Sequence, residues 1–255
     1  MPRLLDTGSA DFEQEFQLFL SEKREASVEV DDIVAGILDD VQTRGDAAVL
    51  ELTEKFDRMQ LTADQLRITE DEIDRAMTAC DPETLAALQV AADRITAFHE
   101  RQYPKDDRFT DAAGVELGAR WTAVEAVGLY TPGGLAAYPS SLLMNAIPAR
   151  VAGVPRVMMC VPTPDGEISP LVLAASRIAG VTEIYRVGGA QAVGAMAFGT
   201  ETIRPVAKIV GPGNAFVAAA KRRVYGKVGI DMIAGPSEIL VVADNQNDPA
   251  WIAAD

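Results

Sequence analysis

Glycines stand at the junctions between predicted strands and the helices that follow them, and they are the clearest chemical signal in the sequence. The segment Gly211–Asn214 joins the apolar run Lys208–Val210 to a helical pattern. Glycines at such a junction let backbone amides approach a phosphate, and a helix N-terminus favours an anion. The spacing is Gly-x-Gly-x-x-Phe, because Phe216 stands where a standard dinucleotide fingerprint has glycine. On spacing alone, a tight turn without a ligand explains the motif equally well.

Two further junctions add side chains that could contact a cofactor. The Gly-Gly pair in Val187–Ala190 precedes Gln191, whose amide could hydrogen-bond a ribose or a nicotinamide, or could simply cap its helix. Tyr130 stands beside another Gly-Gly turn in Gly128–Gly134. It could pack on a cofactor ring, although a half-buried tyrosine at a strand end is more common. Because ligands bind at the carboxyl edge of a parallel sheet, three such loops at one edge together favour a nucleotide site.

Three other groups could carry chemistry, and each has a simpler explanation. Ser237 lies in the polar loop Ile230–Glu238 and could face a substrate, or its hydroxyl could bond the backbone of an ordinary turn. The single histidine, His99, continues an apolar stripe at helical spacing from Leu85 to Ile95, so a structural role is favoured over that of a general base. The run Lys221–Arg223 is interpreted as a solvated helix face rather than a phosphate clamp.

The elements that must position these residues fall into two parts. The first half is mainly helical, and its caps and stop signals predict helices at Asp11–Arg24, at Val30–Arg44 before Gly45, from a cap at Asp46 to Asp57, after a capping box that opens at Thr69, and from Asp81-Pro82 to Pro104. Val115–Tyr130 then alternates apolar and polar residues around Gly118, which predicts two strands or a hairpin.

In the second half, short apolar runs alternate with helical patterns. The predicted strands are Arg156–Val161, Glu183–Val187, Lys208–Val210 and Glu238–Val242, and the predicted helices run from Ser169-Pro170 to Gly180, from Ala190 to Phe198 and from Asn214 to Tyr225. Repeated strand–helix units predict a parallel sheet with right-handed crossovers. The fold class is therefore α/β: a Rossmann-like parallel-sheet segment preceded by a mainly helical N-terminal region and followed by an incomplete second α/β domain.

Composition excludes several functional classes. The 255 residues carry a net charge of -15 with no basic stripe to offset it, which argues against nucleic-acid binding. No apolar run reaches the ~18 residues that span a bilayer, and charges near Met1 argue against a secretory signal. Two cysteines, Cys80 and Cys160, are too few for a disulfide scaffold, so a reducing, cytoplasmic setting is expected.

Four stretches resemble the histidinol dehydrogenase family, in order and at compatible spacing. They are GLYTPGGLAAYPSSLLMNAIPARVAGV, RVGGAQAVGAMAFGTE, KIVGPGNAFVAAAKR and IDMIAGPSEILVVAD. By that resemblance, Tyr130, Gln191 and Asn214 correspond to NAD-contacting positions and Ser237 to a substrate-contacting position. The family oxidises L-histidinol to L-histidine in two hydride transfers to NAD, through an aldehyde. It uses zinc and works as a homodimer, and its domains resemble incomplete Rossmann units.

The resemblance also implies that the catalytic residues lie beyond Asp255. In the family, the zinc ligands begin in a Gln-Ala-Glu-His segment, and a Glu-His pair acts later as acid and base; neither motif occurs in this sequence. We therefore expect no catalytic or metal-binding residue in this chain, and no activity from the chain alone. The rival functions are oxidation of another zinc-bound alcohol, such as a sulfonated diol, and a non-catalytic piece that contributes dimer contacts or weak nucleotide binding. The expected division begins with a helical arm at 1–25 and a helical region with a few strands at 26–129, the first half of a discontinuous α/β domain. A Rossmann-like NAD-binding domain follows at 130–238, and 239–255 is the start of the truncated remainder.

Overall fold

The N-terminal region is helical, as the sequence predicts. A computed structural model describes residues 5–133, 138–233 and 241–254, with the backbone alone at 20–27 and 253–254. The helices of the first hundred described residues are α1 (Phe12–Arg44), α2 (Asp46–Asp57), α3 (Glu70–Ala79) and α4 (Pro82–Glu100). As predicted, Thr69 caps α3 in a capping box, and Asp81 caps α4 ahead of a first-turn proline.

Two predictions in this region were wrong. The two helices predicted at Asp11–Arg24 and Val30–Arg44 form one continuous helix, α1. Residues 25–29 contain neither glycine nor proline, so the sequence between them does not end the helix. Asp46 does not cap α2, because Gly45 is the N-cap and Asp46 already lies in the first turn. The Asp46 carboxylate accepts a hydrogen bond from the Thr202 N–H at 3.3 Å instead, which ties the start of α2 to a distant loop.

The extended segment predicted at Val115–Tyr130 contributes to two different sheets. Strands β1 (Asp107–Thr110) and β2 (Glu116–Ala119) form an exposed antiparallel hairpin. Strand β3 (Ala126–Tyr130) is fully buried and belongs to the main sheet. The predicted hairpin exists, but it pairs β2 with a strand that begins eight residues before the segment.

The main sheet has five parallel strands in the described residues. The others are β4 (Arg156–Cys160), β5 (Glu183–Tyr185), β6 (Lys208–Val210) and β7 (Gly229–Ile230), and the spatial order is β5-β4-β3-β6-β7. The connecting helices are α5 (Pro139–Val151), α6 (Pro170–Ala179), α7 (Gly189–Phe198) and α8 (Ala215–Val224). The strand order runs outward in both directions from β3 and β6, which is the doubly wound arrangement.

Helices cover both faces of this sheet. One buried cluster joins α1, α2, α7 and α8 to side chains such as Met158 and Ile209, and the other joins α3, α4, α5 and α6 to side chains such as Val127 and Met159. Alternate residues of each strand therefore enter opposite cores, as expected for a sheet buried on both sides. Gly128 in β3 lies directly under α7, where a Cβ would collide with Met196.

The C-terminal end of the described chain is the short helix α9 (Pro249–Ala254), which begins directly after Asp248. Most of the predicted strand Glu238–Val242 lies outside the described residues. None of the helices in the described ranges is long and apolar enough to cross a membrane. The division of the chain into domains stays a prediction. The predicted boundary between residues 129 and 130 falls within β3, the central strand of the main sheet.

Candidate nucleotide site

A cavity opens where the sheet reverses its winding direction. Strands β3 and β6 are neighbours, but β3 leads into α5 on one face and β6 leads into α8 on the other. Their carboxyl ends therefore diverge and leave a crevice, which is where doubly wound sheets bind ligands. A cavity of about 600 Å³ lies there, lined by Ile37, Phe56, Asp57, Tyr130, Pro132, Gly133, Tyr138, Ser141, Pro162, Gly189, Ala190, Gln191, Pro212, Gly213, Asn214 and Phe216. Its size lies within the range of small-molecule and cofactor pockets.

The structure brings together the three residues that the sequence selects. Tyr130, Gln191 and Asn214 all line this one cavity, although the first and the last are 84 positions apart in the sequence. The glycine loop after β6 comes close to β3: Gly211 has φ +114°, and a Cβ there would collide with the carbonyl oxygen of Tyr130. Only glycine tolerates both the positive φ and the close contact with the Tyr130 carbonyl. Gly211 therefore allows the loop after β6 and the loop after β3 to share one site.

Tyr130 holds the neighbouring loop in place. Its ring is buried, with 5 % of the residue exposed, and its hydroxyl oxygen accepts a hydrogen bond from the Gly189 N–H at 3.1 Å. Burial raises the pKa of Tyr130 to about 12, so the phenol is neutral at physiological pH. This tyrosine is more deeply buried than the half-buried strand-end residue that is common, and it fixes the first turn of α7 beside the cavity.

Gln191 carries a buried acceptor without a protein partner. The residue is 1 % exposed, and its Oε1 makes no hydrogen bond within the described part of the chain. The side chain does not cap α7, whose N-cap residue is Gly188 and has no side-chain cap bond. Buried polar atoms are almost always satisfied, so an unpaired one on the wall of a cavity indicates a place for a ligand or an ordered water.

The side-chain oxygen of Asn214 makes a hydrogen bond within the described part of the protein, and the NH2 group does not. Its Oδ1 accepts a hydrogen bond from the Val217 N–H at 3.1 Å and caps α8. The NH2 group makes no hydrogen bond among the described residues, and the residue lines the cavity. The capping bond fixes the amide plane, so the two free donors are held in one orientation before any ligand arrives.

Sequence reasoning missed the contribution of α1 and α2. Ile37, Phe56 and Asp57 line the cavity from these helices. Asp57 is 8 % exposed and accepts a hydrogen bond from the Thr163 N–H at 3.3 Å. Burial raises the pKa of this carboxyl, opposed by the hydrogen bond from Thr163. No local pattern identifies Asp57, because it stands at the end of an amphipathic helix among many other acidic residues.

The next candidates are Ser237 and His99. Ser237 is outside the described residues. His99 does not line the cavity; its Nδ1 lies 2.7 Å from Gln102 Oε1, and its ring packs edge-on against Phe98. Across the described ranges, no group of three or more His, Cys, Asp or Glu side chains could hold a metal ion.

One interpretation of a charged residue was wrong. Lys221, assigned to a solvated helix face, is 4 % exposed and pairs with Asp231, whereas its neighbours Arg222 and Arg223 are more exposed. The helical period places Lys221 on the inner side of α8, where a buried ammonium group needs a partner. The run of three basic residues in the sequence does not show that Asp231 provides this partner.

Comparison with known proteins decides the family. The histidinol dehydrogenase family profile matches residues 20–255. The chain belongs to the histidinol dehydrogenase family. It is 65 % identical to the histidinol dehydrogenase of Rhodopseudomonas palustris over 255 residues, which cover 100 % of this chain and 59 % of that protein. It is also 65 % identical to the enzyme of Brucella abortus over 245 residues, 96 % of this chain and 57 % of the relative.

The crystal structure of histidinol dehydrogenase from Elizabethkingia anophelis has a similar fold. The TM-score is 0.80 at 40 % sequence identity, covering 88 % of this chain and 52 % of that one. The predicted α/β class and the predicted family are thus confirmed. The chain spans about 59 % of the length of the curated histidinol dehydrogenases that it matches.

Proposed function

We propose that this chain forms the NAD-binding part of a histidinol dehydrogenase. In the full-length protein, that enzyme oxidises L-histidinol to L-histidine through an aldehyde, in two hydride transfers to NAD. The observation that carries the proposal is the convergence of Tyr130, Gln191 and Asn214 on one cavity at the switch point of the sheet. The family relationship supports the substrate and the reaction.

The walls of the cavity suit a dinucleotide. Phe56, Pro132 and Phe216 supply apolar surface on which a planar ring can pack. The NH2 group of Asn214 can donate to a phosphate or a ribose oxygen, and Gln191 Oε1 can accept from a hydroxyl or a carboxamide. The glycine loop before Asn214 and the start of α8 favour the negative charge of a pyrophosphate.

Zinc, the second cofactor that the resemblance implies, does not fit the residues described. No cluster of at least three ligating side chains occurs among them. By the resemblance, the family's ligand motif corresponds to positions after Asp255. On the ground of the resemblance, we propose that the described residues supply no metal ligand, acid or base, and we expect that this chain does not oxidise histidinol by itself. Homodimer formation and a cytoplasmic location are further parts of the proposal for the full-length protein, on the ground of the resemblance and the low cysteine content.

The first experiment is an assay of the full-length protein. The enzyme should form NADH from L-histidinol and NAD over many turnovers. A sulfonated diol at the same concentration should react much more slowly. Rapid turnover of the diol instead, or no turnover of either alcohol, would contradict the proposed reaction.

Gln191→Leu tests the nucleotide site itself. Removing a buried acceptor that has no protein partner should leave the thermal stability unchanged or raise it, by up to ~1–3 kcal/mol, the cost of leaving such a group unpaired. The same change should weaken NAD binding about tenfold, the value of a typical hydrogen bond. The control is Gln89→Leu, which changes an exposed glutamine on α4. Wild-type NAD affinity in the Gln191 variant would show that Gln191 does not bind the nucleotide.

A further inference from the structure

An ion pair between a buried lysine and a partly exposed aspartate lies behind the glycine loop of the cavity. Lys221 projects from α8 with 4 % of its surface exposed, and its ammonium group is paired with the carboxylate of Asp231. The same Nζ donates a hydrogen bond to the carbonyl oxygen of Gly211 at 2.9 Å. Neither charged residue lines the cavity. The hydrogen bonds from the pair toward the cavity go to Gly211, the first residue of the loop.

Asp231 completes the contact from the other side. Its Oδ2 accepts a hydrogen bond from the Gly211 N–H at 2.8 Å, and its Oδ1 accepts one from the Met232 N–H at 2.7 Å. Burial alone would raise the pKa of Asp231, but the hydrogen bonds from Lys221 and the two N–H groups outweigh it and lower the pKa. The carboxylate is thus ionised at neutral pH. Both polar groups of the Gly211 backbone are held, one by each member of the pair.

The held residue is the one that brings the loop against β3. Gly211 has φ +114° and lies against the carbonyl of Tyr130, while Pro212, Gly213 and Asn214 follow it along the wall of the cavity. A glycine with positive φ is conformationally permissive, so the loop needs external contacts to stay in one conformation. Buried ion pairs contribute little net stability compared with apolar residues of similar volume, but they can select one arrangement.

We propose that Lys221 and Asp231 are positioning residues for the nucleotide: they lock the Gly211–Asn214 loop in the conformation that presents the Asn214 amide to the cofactor. This inference rests on the proposed function, because it concerns the same cavity. It assigns a role to two residues that touch neither the cofactor nor the substrate.

The test uses the full-length enzyme with Lys221→Met and with the double variant Lys221→Met/Asp231→Asn. Both remove the donor to the Gly211 carbonyl, and the double variant also removes the carboxylate charge that Lys221 neutralises. The matched control is Arg223→Met, which breaks an ion pair two residues away on the same helix, between Arg223 and Asp31 of α1 at 2.6 Å. All three variants lose one cation from α8, but the control leaves the loop untouched.

The expected result is a split between the two substrates. In both Lys221 variants, the KM for NAD and the dissociation constant of NADH should rise about tenfold, the usual value of a charge-assisted hydrogen bond. The KM for histidinol should stay within about twofold of the wild type. Arg223→Met should leave all three constants unchanged. NADH binding is measured by fluorescence titration, and folding by circular dichroism and thermal melting.

Three outcomes would overturn the inference. The first is an NAD affinity in the Lys221 variants that equals that of Arg223→Met. The second is a parallel rise of both KM values, which a merely structural role would give. The third is a single Lys221→Met variant that does not fold while the folded double variant binds NAD normally. If instead the wild type neither binds NAD nor oxidises histidinol, the proposed function fails, and that result is distinct from all three.

Discussion

The side-chain amide of Asn214 has two roles, and a comparison of two substitutions at this position distinguishes them. Oδ1 caps α8 by accepting from the Val217 N–H, while the NH2 group is directed to the ligand in our proposal. Asn214→Ala removes both functions. Loss of an N-cap costs about 1 kcal/mol, which lowers the melting temperature by roughly 2–4 °C in a domain of 150–250 residues and by less in a larger one. Loss of the donor should raise the KM for NAD about tenfold.

Asn214→Asp keeps the cap but replaces the NH2 donor with a negatively charged acceptor. A carboxylate caps a helix as well as an amide does, so the melting temperature should match the wild type. The KM for NAD should rise at least as much as in the alanine variant, because the added charge repels the pyrophosphate. The KM for histidinol should change little in either variant.

Thr69→Ala provides the matched control for the lost cap. Thr69 caps α3 and lies outside the cavity, so this variant should lose a similar amount of stability and keep the NAD constants of the wild type. Steady-state kinetics of the full-length enzyme and thermal melting measure all three variants. The reasoning is refuted if Asn214→Asp binds NAD normally, or if Thr69→Ala weakens NAD as much as Asn214→Ala.

Three further changes test the roles of single residues. His99→Gln should keep kcat within about tenfold of the wild type, whereas loss of a general base costs 10²–10⁴, and a drop in that larger range with the fold intact would contradict us. Gly211→Ala should destabilise the protein and weaken NAD binding, because φ is +114° and the Cβ would collide with the Tyr130 carbonyl; unchanged melting and binding would be the contrary result. Tyr130 has a pKa raised to about 12, so its burial contributes stability that is full below the ordinary value of about 10 and is lost as the pH rises through 12. In a pH series of melting curves, the melting temperature of Tyr130→Phe should therefore fall less steeply over this alkaline range than that of the wild type. An identical slope in the two proteins would exclude Tyr130 as the source of the lost stability.

The convergence of the three nucleotide-site candidates could be predicted because parallel strands carry their carboxyl ends at one edge. Tyr130, Gln191 and Asn214 each follow a strand end, so their meeting depends only on the recognition of the strands and their direction. The family motifs of the second half made the same residues visible independently.

What escaped prediction depends on contacts between segments distant in sequence. Asp57 enters the cavity because α2 packs beside α7, and no pattern near Asp57 encodes that approach. Lys221 looks like one of three solvated cations until Asp231 and the Gly211 carbonyl are placed beside it. The sequence predicts two helices where the structure has the continuous α1, and residues 25–29 contain neither glycine nor proline that would end the helix.

The most direct measurement of the central claim is a crystal structure of the full-length protein with bound NADH. The account predicts that the dinucleotide occupies the cavity between the ends of β3 and β6, with hydrogen bonds from Asn214 and to Gln191 Oε1, and with the loop at Gly211 unchanged in position. NADH bound at any other place on the protein, with this cavity empty, would contradict it.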